Sequence, residues 1–400
     1  MPISPGLEKE SLDFLKLLVE THSGPENIPG INRVQDLLQA RLGALGFTCE
    51  RFANPTPGIA SAELLIATFE GEDSRKVDFV SHADTLQSGA EDKAPFFVDE
   101  ASDIAIGPGV MDDKGGQIVA LNGISAYLRS LGGAKPPFSL RFISSPSEEF
   151  GSPGFQAFFQ ELSRDSMLTL GFEPSLDDGA IIESRRGNRW YRIKIEGREA
   201  HSGRAHRHGI NAAHDLALKI GEIQKLTDYS RDVTVSVGHI RAGKDAFNIV
   251  CGDAEAKLDT RFSTFQDRDE LHWKIHEVLS QSHIRSFDDG TPSRASYEIA
   301  DDCPPFAANP GTQVFITEYL RIVEEIEGRK ITSRMSGGAA DCCYMSRPGL
   351  RIIDGLGPSG GKMHTIEEHV SLRSLDTRAQ ALDRLLQFAL PLLRSEASEK

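Results

Sequence analysis

Three segments predicted as strands each lead to a side chain that can bind a metal or move a proton. This feature constrains the fold most. The segments are residues 77–81, 139–144 and 168–172, and the side chains that follow them are His82, Glu149 and Glu173. Ligands of open α/β sheets lie at the carboxyl ends of the strands. The pattern therefore predicts an α/β fold with a site at one edge of a central sheet.

His82 and Asp84 stand two positions apart at the end of the first of these segments. Along an extended strand, residues i and i+2 share one face, so both side chains can point into the same site. An imidazole beside a carboxylate is either a metal ligand with its supporting partner or a catalytic pair. A solvated strand end explains the two residues equally well, and only the other segments decide between these interpretations.

Glu148 and Glu149 are adjacent and are followed by Gly-Ser-Pro-Gly. Neighbouring side chains diverge, so the two carboxylates cannot perform the same task. One can bind a metal while the other acts as a general base on the attacking water. Taken alone, a Glu-Glu pair is more typical of a solvated acidic turn.

The glycine-rich segment 107–116 precedes an apolar helix predicted over residues 117–131. A phosphate-binding loop is one interpretation, but the spacing matches neither of the common phosphate-loop patterns. The alternative is that the glycines permit an unusual backbone that directs Asp112 into a site.

The remaining pattern predicts two domains, as the length of the chain also suggests. Helices before and after the buried strands indicate a central mixed sheet flanked by helices, formed by residues 1–186 and 301–400. Between them, alternating strands and amphipathic helices follow the order strand, helix, strand, strand, helix, strand. This order predicts a small α+β sandwich inserted at residues 187–300.

Composition excludes several classes of function. The net charge of −15 argues against nucleic-acid or anionic-membrane partners, which require a basic surface. Five cysteines without a C-x-x-C pair predict neither a disulfide framework nor a cysteine zinc site. The first residues lack a secretion signal, and no apolar run approaches membrane-spanning length. We therefore expect a cytoplasmic protein in a reducing compartment.

The motifs together resemble those of the dinuclear zinc exopeptidases and amidohydrolases. This family includes carboxypeptidase G-type glutamate carboxypeptidases, acetylornithine deacetylase, succinyl-diaminopimelate desuccinylase, aminoacylase and dipeptidases. The resemblance covers nearly the whole chain. It rests on Ser81-His82-Ala83-Asp84, Gly109 with Asp112-Asp113-Lys114-Gly115-Gly116, Glu148-Glu149-Phe150-Gly151-Ser152, Glu173-Pro174, His201, Gly209 with Asn211-Ala212, Asn248, and His364-Thr365 with Glu367-Glu368.

The resemblance implies two Zn²⁺ ions per chain, with Co²⁺ or Mn²⁺ as alternatives. The implied ligands are His82 and Glu173 for one metal, Glu149 and His364 for the other, and Asp112 as the bridging carboxylate. Imidazole and carboxylate oxygen are ordinary ligands of Zn²⁺. The resemblance also implies that Asp84 orients His82 by contacting the imidazole nitrogen that does not bind the metal. The family also has a cis peptide bond after the bridging aspartate, here between Asp112 and Asp113.

Further roles are implied for residues around the metals. Glu148 resembles the general base and acid that takes a proton from the metal-bridging water and delivers it to the leaving amine. His201 resembles a histidine that stabilises the oxyanion in the partner subunit's site, which implies a homodimer formed through the inserted domain. Asn248 matches a substrate-proximal asparagine. Arg334 is our candidate for the substrate carboxylate, assisted by the backbone of Gly337 and Gly338.

Three functions follow from these observations. The first is hydrolysis of an amide or peptide bond next to a free carboxylate, as in glutamate carboxypeptidases, with a peptide or N-acyl amino acid as substrate. The second is a deacylase of N-acyl amino acids, of the acetylornithine deacetylase, desuccinylase or aminoacylase type. The third is a related protein that binds without catalysis. All five ligand positions and Glu148 are present, which favours an active hydrolase. Pro108 and Met111, close to Asp112, depart from the family pattern. They can alter the rim of the substrate site, so the identity of the substrate is not predicted.

Overall fold

The computed structural model describes residues 8–86 and 96–398, so the start of the chain, on which the absence of a secretion signal was judged, lies largely outside the described residues. The chain divides into two compact units. Unit 1 comprises the described residues as far as Arg185, together with Ala307–Ser336 and the residues from Ala340 onwards. Unit 2 comprises Arg186–Phe306 and Gly337–Ala339.

Helices and strands alternate along much of the chain. The helices are α1 (Lys9–Glu20), α2 (Ile28–Ala44), α3 (Lys114–Ser130), α4 (Gln156–Leu162), α5 (Ala212–Ile223), α6 (Phe265–Ser280), α7 (Pro310–Glu327), α8 (Asp341–Tyr344) and α9 (Leu372–Ser398). The strands are β1 (Thr48–Phe52), β2 (Leu64–Phe69), β3 (Asp73–His82), β4 (Phe97–Asp99), β5 (Ile104–Ile106), β6 (Phe138–Ser145), β7 (Ser166–Gly171), β8 (Ile181–Arg185), β9 (Gly187–Glu196), β10 (Thr234–Ala242), β11 (Asp253–Phe262), β12 (Arg294–Cys303), β13 (Phe306–Ala307), β14 (Ser333–Ser336), β15 (Arg351–Ile353), β16 (Gly360–Gly361) and β17 (His369–Ser371).

Unit 1 is built on a six-stranded mixed sheet with the order β1-β2-β6-β3-β7-β15. Strand β3 runs parallel to both of its neighbours, β6 and β7, while β1 and β2 are antiparallel additions at one edge. Every residue of β6 is buried, as is expected for a central strand that is covered on both faces. The predicted mixed α/β sheet is therefore confirmed.

The long helices of unit 1 pack closely. Helix α3 lies against α9, and at Gly123 a side chain would place its Cβ 2.6 Å from Leu382 Cδ2. Glycine at this position thus allows the two helices to approach one another. A second, smaller sheet, with the order β16-β17-β5-β4, carries the glycine-rich loop that precedes α3.

Unit 2 is an antiparallel sheet with the order β10-β11-β9-β12, accompanied by α5 and α6. From Trp190 to the end of β9 burial alternates, with Tyr191, Ile193 and Ile195 buried and Arg192 and Lys194 exposed. One face of the sheet therefore forms a core with the helices, and the other is polar. The predicted order of strands and helices in this region is confirmed.

None of the described helices is long and apolar enough to cross a lipid bilayer.

Candidate metal centre

The strand order of unit 1 brings three predicted site residues to one edge of the sheet. His82 is the last residue of β3, which lies between β6 and β7 and parallel to both. Glu149 lies in a short 3₁₀ helix, Glu148–Phe150, after the end of β6, and Glu173 follows β7. Parallel neighbours end at the same edge, so side chains from three separate segments meet there.

Two further residues come from the loops of the smaller sheet. Asp112 lies in the loop between β5 and α3, and His364 lies between β16 and β17. The peptide bond between Asp112 and Asp113 is cis, which confirms that expectation. The same loop contains Gly109, whose φ of 65° lies in the left-handed region that favours glycine.

The Asp112 carboxylate lies between two imidazoles. Its Oδ1 is 2.9 Å from His82 Nε2, and its Oδ2 is 3.2 Å from His364 Nε2. Beyond it, Glu173 Oε1 is 3.7 Å from His82 Nε2, and Glu149 Oε2 is 3.5 Å from His364 Nε2. The structure therefore brings together all five residues that were predicted as metal ligands.

These donors fall into two groups, each with ligand atoms within 4.8 Å of one another. One group comprises His82, Glu148 and Glu173, and the other comprises Asp112, Glu149 and His364. Imidazole nitrogen and carboxylate oxygen are the donors that Zn²⁺ and related divalent cations accept. The donor set therefore fits two divalent cations, one on each side of the Asp112 carboxylate.

Glu148 belongs to the His82 group and has the environment of a proton-transfer residue. Burial raises the pKa of Glu148 well above its ordinary value, and the nearby negative charge of Glu173 adds to the rise. A carboxyl group with a raised pKa can both accept and return a proton near neutral pH.

Asp84 is buried and supports the site in two ways. His82 Nδ1 lies 2.8 Å from the Asp84 carbonyl oxygen and 3.4 Å from its carboxylate. The two carboxylate oxygens accept the backbone N–H groups of Glu148 at 3.0 Å and Glu149 at 3.1 Å. The sequence predicted the contact with the imidazole ring but not the contact with the glutamate pair.

Other buried polar groups surround the ligands, and sequence analysis gave them no role, although Asp113, Ser152 and Glu368 stand inside the quoted motifs. Asp113 Oδ2 accepts the backbone N–H of His82 at 3.2 Å. Asp341 Oδ1 accepts a 2.6 Å hydrogen bond from Ser152, just after the glutamate pair. Glu368 accepts three backbone N–H groups around Asp112. For Asp113 the available signal was its position next to a predicted ligand, whereas Asp341 stands in none of the quoted motifs.

His201 and Asn248 belong to unit 2, where their loops are joined. Ser202 donates its backbone N–H to the Asn248 carbonyl at 2.9 Å, and Val250 donates to the Ala200 carbonyl at 2.8 Å. Both predicted residues are exposed. The His201 ring is oriented by the Gly203 N–H, which donates to Nδ1 at 3.1 Å.

Arg334 lies on β14 at the surface and forms an ion pair with Asp178. The buried arginine of this region is Arg185, whose Nε donates to Asp354 at 2.5 Å and whose charge acts on Glu173. Gly337 and Gly338 follow β14 and are grouped with unit 2. In the structure the Arg334 guanidinium group is therefore paired with a carboxylate of the chain itself, that of Asp178.

Fold and donor set together define the class of the protein as a metal-dependent hydrolase. Residues 79–387 match the model of peptidase family M20/M25/M40, and the chain belongs to this family.

Curated relatives match over most of their length. Carboxypeptidase G2 of a Pseudomonas species is 27% identical over 378 residues, which cover 93% of this chain and 87% of that protein. Succinyl-diaminopimelate desuccinylase of Alkalilimnicola ehrlichii is 26% identical over 369 residues, which cover 88% of this chain and 92% of that protein.

Solved structures show the same fold. An aminopeptidase from Bacillus cereus superposes with a TM-score of 0.72 at 19% identity, covering 96% of this chain and 98% of its own. A family M20 metallo-carboxypeptidase from Sulfolobus solfataricus superposes with a TM-score of 0.71 at 15% identity, covering 95% and 99%.

Proposed function

We propose that this chain hydrolyses an amide or peptide bond next to a free carboxylate, as a glutamate carboxypeptidase-like enzyme with two Zn²⁺ ions. The observation that carries the proposal is the Asp112 carboxylate between His82 and His364, with a further carboxylate beside each imidazole. The 27% identity to carboxypeptidase G2 over most of both chains supports the substrate class.

The chain's own residues divide the chemistry between them. When bound, two divalent cations activate a water molecule and polarise the scissile carbonyl. Glu148 accepts a proton from the attacking water and delivers it to the nitrogen of the leaving amine as the C–N bond breaks. The Asp84 carboxylate accepts the backbone N–H groups of Glu148 and Glu149. It thereby fixes the orientation of the base, Glu148, relative to that of the ligand, Glu149.

Arg334 is proposed to bind the free carboxylate of the substrate, with the backbone of Gly337 and Gly338 assisting. A guanidinium group binds a carboxylate in a bidentate manner, and here the substrate would take the place of Asp178. Asn248 is proposed to contact the substrate close to the reacting bond.

A second candidate is a deacylase of N-acyl amino acids. It is favoured by the 26% identity to succinyl-diaminopimelate desuccinylase over 88% of this chain. Both candidates use the same metal centre and differ in which side of the amide bond carries the recognised group. Comparing kcat/KM on peptides with C-terminal glutamate and on N-succinyl and N-acetyl amino acids separates them.

We also propose a cytoplasmic homodimer formed through the inserted domain at residues 187–300. The resembling dimeric enzymes place a histidine such as His201 in the partner's site, where it stabilises the oxyanion. The exposed position of His201, on a loop tied to that of Asn248, agrees with a role outside its own unit. All five cysteines carry thiol groups rather than disulfide bonds, as is typical of a reducing compartment.

Metal content and one substitution test the main proposal. The purified protein is loaded with Zn²⁺, and bound zinc is measured beside hydrolysis of the two substrate classes. We expect about two zinc ions per chain, and we expect Glu148→Gln to keep the zinc while losing about 10²–10⁴-fold in kcat. Glu161→Gln, an exposed substitution on α4, is the control and should change neither. Full activity in E148Q would overturn the mechanism.

Hybrid dimers test the role of His201. Inactive His201→Ala chains are mixed with inactive Glu148→Gln chains under conditions that allow subunit exchange. If His201 serves the neighbouring site, one site of each hybrid has both groups, and activity returns. No recovery despite exchange, measured with differently tagged chains, would contradict the proposal.

A further inference from the structure

Glu368 is a buried carboxylate that accepts three backbone N–H groups from one loop. Its side chain is 3% exposed. Oε2 accepts from Gly109 at 3.1 Å, while Oε1 accepts from Met111 at 2.9 Å and from Asp112 at 3.1 Å. A fourth bond runs from the Gly107 N–H to the Glu368 carbonyl at 3.1 Å.

The loop around Asp112 needs such a partner because most of it is buried outside regular secondary structure. Residues 109–112 are all buried. Buried backbone N–H groups are costly unless they are hydrogen-bonded, and helices or sheets normally provide the acceptors. A carboxylate makes stronger hydrogen bonds than a neutral acceptor, so one side chain can fix the path of several residues.

Glu368 also lies close in sequence to a predicted ligand of the second metal. It stands four positions after His364, and its N–H donates to the Thr365 carbonyl at 3.2 Å. The next residue, His369, begins β17 and pairs with Ile106, just before the glycine-rich loop. A single short segment therefore carries His364 and the carboxylate that holds the Asp112 loop.

We infer that Glu368 is a positioning residue, which holds the loop so that the Asp112 carboxylate stays between His82 and His364. This inference rests on the proposed dinuclear centre. Among the described residues, the Glu368 side chain accepts from the backbone of this loop and forms no hydrogen bond with either imidazole. It therefore acts through the backbone of the ligand that lies between them.

The neighbouring Glu367 provides a matched control. Its side chain is 66% exposed and forms an ion pair with Lys362 at 2.8 Å. Glu367→Gln therefore removes the same charge one residue away without affecting the loop.

Metal binding by Glu368→Gln tests the inference without relying on activity. The amide has one acceptor oxygen, and its NH₂ group cannot accept the N–H groups that now share a carboxylate. We expect Zn²⁺ affinity, measured by competition with a chromogenic chelator, to fall about 10–100-fold in E368Q and to stay unchanged in E367Q. We also expect the visible spectrum of the Co²⁺-loaded protein to change in E368Q alone, because the ligand geometry is altered.

Wild-type affinity and an unchanged Co²⁺ spectrum in E368Q would overturn the inference. If E368Q does not fold, Glu368→Asp takes its place, since it keeps the charge but is one methylene shorter. Wild-type affinity in E368D would then overturn the inference, and weakened affinity would support it. Failure of wild type to bind two metals would instead count against the proposed function, so the two failures are distinguishable.

Discussion

The predicted functional residues of the two units differ in their burial and in the contacts that hold them. In unit 1 the proposed metal ligands and Glu148 meet at a sheet edge, where buried carboxylates such as Asp84 and Asp113 accept backbone N–H groups. In unit 2, His201 and Asn248 lie exposed on loops at one end of an open antiparallel sheet. Buried charge is costly unless it is paired, and at the candidate metal centre it fixes the positions of the atoms that must act together.

The largest expected contrast concerns ion pairs. In unit 1, Arg141 donates to Asp78 at 2.6 Å, and the Asp78 side chain is fully buried. Arg141→Met leaves this carboxylate without its charged partner, so we expect unfolding free energy to fall by about 3–5 kcal/mol. Chemical denaturation followed by circular dichroism measures the loss.

An exposed pair in unit 2 provides the control. Arg192 and Glu298 are 2.8 Å apart and both 62% exposed. Arg192→Met should cost about 0–1 kcal/mol, because water screens the pair. Both tryptophans, Trp190 and Trp273, lie in unit 2, so tryptophan fluorescence measures the unfolding of that unit alone. Equal losses in the two variants would refute the contrast.

A smaller effect is expected from Asp84→Asn. The amide retains one acceptor oxygen, so the N–H of Glu148 or Glu149 loses its partner. We expect metal affinity and kcat/KM to fall about 10–100-fold, which corresponds to about 1.4–2.7 kcal/mol. Titration with Zn²⁺ and steady-state kinetics measure the two quantities.

Asp99 offers the matched control for that substitution. Its half-buried carboxylate also accepts two backbone N–H groups, from Ala101 at 3.0 Å and Ser102 at 3.2 Å. Asp99→Asn should leave metal affinity unchanged. If Asp99→Asn weakens zinc binding as much as Asp84→Asn does, then the burial of Asp84 beside the ligands does not explain its effect on zinc affinity.

The smallest effect is a pH dependence in unit 2. Burial, followed by the positive charges of Arg189 and His276, lowers the pKa of His272. Below the ordinary pKa of about 6.5 the unfolded chain binds a proton that the folded chain does not, so stability falls as pH falls. In His272→Gln, the decrease in tryptophan-reported Tm between about pH 7.5 and about pH 5 should be smaller than in wild type. An unchanged decrease would exclude this histidine as its source.

Much of the fold could be predicted because long elements have clear periodicity. Leu140, Phe142 and Ile143 mark β6, and apolar and polar side chains alternate in β9 from Tyr191 to Glu196, so both strands are visible in the sequence. The strands β4, β5, β16 and β17 were not predicted. They have two or three residues each, too few for any period. The distant pairing of β17 with β5 joins the two short hairpins into one sheet.

The ligand types could also be predicted, because each follows a recognisable strand or stands in a familiar motif. The supporting contacts could not, since they depend on distant pairing. Asp84 meets the backbone of Glu148 across 64 residues, and Glu368 meets Asp112 across 256. The role of Arg334 remains a prediction, and its ion pair with Asp178 was not foreseen because surface partners are set by local geometry.

The discontinuity of unit 1 has a consequence for biosynthesis. Strand β7 ends at Gly171, but its neighbour β15 begins only at Arg351, after the whole of unit 2. At typical translation rates roughly 10–40 s separate the two on the ribosome. During that interval the nascent sheet has an unpaired edge, which is prone to association with other chains. His364 emerges later still, so complete metal coordination by the proposed ligands must await nearly the end of synthesis.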